Sequence, residues 1–172
     1  MTNLNEAQKL NIGYFEINKI ANKVSTESNI RNVFDFEEIL EKMGATIYQE
    51  NLQDMKNFIT IYAPNRFNII IPKDIDKELK RLLLSQALGH YVLHSQSGKN
   101  PIIISSISKS QVSQEGFWFA LSLLIPDEEI LKLLYTYSDK KILSKFFRVP
   151  NFAIEAKCAI LDKIYFKQKE VL

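Results

Sequence analysis

Apolar residues at Leu10, Tyr14, Ile17, Ile20, Ala21 and Val24 recur at helical steps, so a first amphipathic helix is expected from Asn5 to Val24, followed by a polar connector from Ser25 to Asn32. Phe34, Phe36, Ile39, Leu40 and Met43 keep the same period, with Asp35 as a candidate N-cap and Gly44 where a helix end wants a left-handed residue. The pattern then changes. Ala45–Tyr48, Phe58–Tyr62 and Phe67–Ile71 are β-rich runs separated by polar or Pro-Asn turns, which predicts a small, mostly antiparallel, three-stranded sheet. Pro72 closes the third strand, and helical spacing returns from Asp74 through Leu79, Leu82, Leu83, Gln86, His90, Leu93 and His94. Ser95–Ser113, rich in serine, reads as a long connection around Ile102–Ile104. Glu115–Ile125 is almost wholly apolar and reads as a buried helix, and Pro126 with Asp127, Glu128 and Glu129 resembles a fresh helix start whose acids complement the dipole. Two more helices are expected over Asp139–Phe147 and Asn151–Phe166, around Val149-Pro150. The fold class is therefore α+β, several helices packed on one small sheet, in a single domain over residues 1–172.

Composition narrows the function. At 172 residues and 46% apolar content the chain can bury a core without staples. One cysteine excludes an intrachain disulfide framework and any Cys-rich zinc module, and two histidines cap an imidazole metal site at two ligands. Twenty-two basic and twenty acidic residues nearly cancel, so no nucleic-acid partner is expected. The polar N-terminus and the lack of a long apolar run point to a cytoplasmic protein with no membrane partner. Several further side chains read as ordinary structure: Cys158 as a small core residue, Lys73–Arg81 as a solvated helix face, and Phe117, Trp118 and Phe119 as part of a buried helix.

The segment able to carry chemistry is Leu82–His94. On a helix, residues four apart share a stripe, so Gln86, His90 and His94 point the same way, and His90 with His94 has the spacing by which two imidazoles grip one metal. Here the sequence resembles the ImmA/IrrE-like metallopeptidases, zincin-type proteins often found beside phage or mobile-element repressors. Their active helix ends in a pattern like AHELGHYLLH, and this chain has SQALGHYVLH in the same register. Their next helix looks like E-A-N-x-F-A-x-x-L-L-x-P, to which Glu115-Gly116-Phe117-Trp118-Phe119-Ala120 through Pro126 is similar. Leu143, Phe146 and Val149-Pro150 resemble the pattern that precedes the family's last helix. The resemblance covers Phe34–Leu161 and implies a minimal zincin-like fold: residues 1–32 as helix and connector, 33–166 as zincin-like core and C-terminal helices, and 167–172 as a tail.

The departures fall on the chemistry. By resemblance His90 corresponds to the second zinc-binding histidine and Glu115 to the helix glutamate, while Gln86 stands at the first ligand and Ala87 at the general base. An amide oxygen is a poor zinc ligand beside imidazole, and alanine cannot move a proton. A site shifted one turn, with His90, His94 and either Glu115 or Glu128, would place Tyr91 after the first histidine, and a phenol with an ordinary pKa of about 10 is unsuited to base work at neutral pH. Simpler readings stand beside these: His94 packing on the sheet or capping carbonyls, His90 as a vestigial pocket residue holding a hydrogen bond, Glu115 as a first-turn acid. No cofactor is expected, zinc being the metal the family implies. The expectation is a degenerate metallopeptidase-like pseudoenzyme that binds a protein partner such as a helix-turn-helix repressor. The alternatives are an active zinc endopeptidase that cleaves a repressor, if Gln86 and Ala87 are substitutions, and a structural accessory protein.

Overall fold

The computed structural model describes residues 13–28, 30, 33–51, 58–63, 66–94, 102–105 and 111–166. The first helix, α1, runs Tyr14–Ser28 and buries Tyr14, Ile17 and Ala21, the residues its period selects. Leu10 and the rest of the expected N-terminal turns lie outside the described residues, as does the tail 167–172. Helix α2 spans Val33–Lys42, so Asp35 sits inside the helix rather than capping it. Gly44 has φ 89° and its N–H donates to the Glu41 carbonyl at 2.9 Å, the left-handed helix exit expected of it.

Strands β1 (Ala45–Glu50), β2 (Phe58–Ala63) and β3 (Arg66–Pro72) follow, where the β-rich runs place them. The sheet nevertheless has four strands, in the order β1-β3-β2-β4, which corrects the three-stranded expectation. Strand β4 is Ile102–Ser105, drawn from the stretch read as a connection, and it pairs antiparallel with β2 from Ile61↔Ile102 to Phe58↔Ser105. Strands β2 and β3 are antiparallel neighbours, whereas β1 pairs with β3 in parallel, Ala45↔Phe67 through Glu50↔Pro72. The parallel pair has a simple cause. The β2–β3 reversal puts β3, not β2, beside β1, and two reversals restore the original direction. Periodicity reports which face of a strand is apolar and is silent on its neighbour.

The long helix α3 (Lys77–His94) is the spine of the molecule, with every residue from Arg81 to His90 buried. It packs on α4 (Gln111–Leu124), which in turn packs on α1. Leu84, Ala87 and Leu88 of α3 share one core with Phe119, Ala120 and Leu121 of α4, Ile69 and Ile71 of β3, and Phe36 and Leu40 of α2. Cys158 is half-buried against this core, as are Phe117 and Trp118, while Phe119 is fully buried. Three helices complete the chain: α5 (Asp127–Thr136), α6 (Lys140–Phe147, capped by Asp139 accepting from the Lys141 N–H at 2.8 Å) and α7 (Asn151–Leu161), which passes into a π-helical turn over Asp162–Phe166. Among the described residues, no helix is long and apolar enough to cross a membrane.

Candidate functional site

The α3–α4 crossing builds the site. Gln86, Ala87, His90 and His94 project from the C-terminal half of α3, and Glu115 projects from α4; all five are buried. Glu115 is 1% exposed, and the helix begins four residues before it, so it stands in the second turn of α4 and the first-turn reading falls. Polar Gln111, Ser113 and Gln114 continue the helix upstream of the apolar run, a continuation that the hydrophobic pattern does not signal.

The structure brings His94 and Glu115 together, Nε2 to Oε2 at 3.4 Å, longer than a good hydrogen bond. The His90 and His94 rings lie 5.8 Å apart between centroids, tilted by 33°. Glu128, the alternative third ligand, is exposed on α5. Among the described residues, no group of three or more His, Cys, Asp or Glu side chains could hold a metal ion.

His90 is the most constrained member. It is fully buried, and neither ring nitrogen has a hydrogen-bond partner among the described residues, which corrects the expected hydrogen bond. Its ring lies against the backbone of Gly116: a Cβ built there would be 2.3 Å from Cε1 and 2.4 Å from Nε2. One turn away, a Cβ at Gly89 would meet the Phe119 side chain at 2.8 Å. These two glycines, one on each helix, allow α3 and α4 to approach closely enough to enclose the imidazole. An isolated glycine inside the apolar run of α4 is the one sequence signal that could have announced this contact.

Burial, reinforced by the neighbouring His94, pushes the His90 imidazole down to about 3, and burial also lowers His94. An unfolded histidine takes up its proton near pH 6.5, so between there and 3 the unfolded chain binds a proton that the native protein excludes. Stability from this group is complete above pH 6.5 and falls as the pH drops through that window. At pH 5 the loss amounts to about 2 kcal/mol for His90 alone, with His94 acting in the same direction. Urea unfolding should therefore show a falling midpoint from pH 7 to pH 5. His90→Leu should flatten that dependence and raise stability at pH 7 by about 1 kcal/mol, because an unsatisfied buried polar group is replaced by an apolar one of similar size. An unchanged pH slope in the variant would assign the effect to other groups.

The family model of the IrrE N-terminal-like domain matches residues 40–159, well over half of the chain. No curated protein matches it. That span holds the sheet, α3 with Gln86, Ala87, His90 and His94, and α4 with Glu115, in the order in which the sequence resembles the ImmA/IrrE-like metallopeptidases. The chain belongs to the ImmA/IrrE family, as a metallopeptidase-like protein carrying the IrrE N-terminal-like domain.

Proposed function

We propose that this protein is a catalytically silent member of its family, which holds a protein partner in the cleft where its relatives hold substrate, a helix-turn-helix repressor being the partner expected from the family resemblance. The observation that carries this reading is Ala87. In the register of the family motif it occupies the place of the general base, and its methyl group is fully buried in the hydrophobic core. No side chain there can take a proton from water or deliver one to a leaving amine. The zinc implied by the family does not fit the residues present. Gln86 offers a neutral amide in place of an imidazole, and the His90 ring is packed against the Gly116 backbone. Loss of a general base alone removes on the order of 10²–10⁴ in rate, and a weakened metal site compounds it.

Metal analysis of the purified protein beside a Gln86→His/Ala87→Glu double variant tests the reading. Little zinc is expected in the parent and more in the variant, with no peptide hydrolysis by the parent. Stoichiometric zinc in the parent, together with proteolysis abolished by a chelator and by Glu115→Ala, would establish an active zinc endopeptidase instead.

A further inference from the structure

Arg81 stands at the end of a segment that the sequence presents as a solvated face, and the structure buries it to 6% exposure. One Nη donates to the Phe147 carbonyl at 3.2 Å, while Nε has no hydrogen-bond partner among the described residues. A guanidinium removed from water with a donor left open is costly, and burial lowers its proton affinity, with the like charge of Arg148 adding to the effect. Both arginines line a cavity of about 270 Å³ between the C-terminal end of α1 with Ile30, and α3, α4, α5 and the C-terminal end of α6. Its remaining wall includes the apolar Leu123, Phe146 and Phe147 and, as its single carboxylate among the described residues, Glu129. Neither guanidinium is ion-paired among the described residues. Arg81 precedes His90 by nine residues of helix, about 13 Å along the axis, so this cavity is separate from the histidine site.

We propose that this cavity binds a monocarboxylate carrying a short apolar chain, held by Arg81 and Arg148. Charge and shape select that class. Among the described residues, two guanidiniums less one carboxylate leave a net single positive charge, which one carboxylate neutralises and a phosphate dianion overshoots. The planar donor fork of arginine matches a carboxylate, and the leucine and phenylalanine wall takes the hydrocarbon. The same chemistry is offered by a free carboxylic acid and by the C-terminus of a peptide ending in an apolar residue.

Calorimetric titration and thermal melting of the full chain with hexanoate, hexanol, inorganic phosphate and N-acetyl-glycyl-leucine test the site. Hexanoate or the acetylated dipeptide should bind one per chain and raise the melting temperature, with hexanol and phosphate at least about tenfold weaker. The tighter of the two carboxylates identifies the source as free acid or chain end. Arg148→Gly should weaken binding about tenfold or more without loss of fold, because Arg148 is exposed and its backbone is left-handed at φ 53°, where glycine is at ease. Arg81→Met should weaken it at least as much; if that variant does not fold, Arg148→Gly decides alone. No saturation by either carboxylate up to about 10 mM, equal binding of hexanol or phosphate, or unchanged affinity in Arg148→Gly would overturn the proposal.

Discussion

Replacing Asp127 by alanine is expected to destabilise the protein by about 3–5 kcal/mol, enough to unfold it or nearly so. Asp127, in the first turn of α5, is only 6% exposed, and its carboxylate ties three helices together. One oxygen accepts from the Tyr14 hydroxyl of α1 at 2.9 Å and from the ammonium of Lys157 of α7; the other accepts from Asn18 at 3.3 Å. Lys157 is fully buried, donates also to the Tyr14 hydroxyl at 2.7 Å, and lies 5.4 Å from the centre of that ring. Burial pulls the lysine below its ordinary range, with the Asp127 charge opposing, and burial with the same carboxylate holds the Tyr14 phenol far above its own. With Asp127 gone, an ammonium is left in the interior without its counter-charge. Asp127→Leu combined with Lys157→Met should cost far less than Asp127→Ala alone, because removing both charges removes the desolvation penalty with the attraction. Chemical unfolding of the two variants and the parent decides this, and equal losses in both would mean that the pair is held by packing rather than by charge.

Gly116→Val is the second large effect, expected at about 3 kcal/mol or more from overpacking. The added Cβ would sit 2.3 Å from the His90 ring, and the ring is held on its helix by the buried residues around it. Valine also gains helix propensity over glycine, by a few tenths of a kcal/mol, which is too little to offset a clash with a fully buried side chain. The cause can be isolated by a cycle. His90→Ala opens a cavity on its own, and in the double variant the valine fills the vacated space, so the two substitutions should be strongly coupled. Additive losses would place the strain somewhere other than the imidazole.

The pattern of apolar positions carried much of the local structure. Tyr14, Ile17 and Ala21 face the core as their spacing requires, Gly44 takes the left-handed exit, and three strand segments stand where β-branched and aromatic residues cluster. What it missed was non-local or polar. The Ile102–Ser105 strand gains its identity from pairing with β2, a partner about forty residues away, and Arg81 looks like one more charge in a mixed run until α6 delivers the Phe147 carbonyl to it. Asp127 was legible as a helix-start acid, which it is, but not as the partner of a lysine thirty residues on. Charged residues have no periodic signature that separates a buried one from a solvated one, because burial depends on what the fold brings opposite.

At the candidate site the division is sharper. The sequence alone determined which chemical groups are there: Gln86 and Ala87 beside His90, and Glu115 on the next helix, all within the span matched by the family model. Only the tertiary structure decided how they meet. It set Glu115 in the second turn of α4 beside His94, and enclosed His90 against Gly116 without a hydrogen-bond partner among the described residues. Residue identity and helical phase are local properties written in the chain. The separation between two helices is fixed by the side chains that pack between them, and here two glycines on facing helices set it.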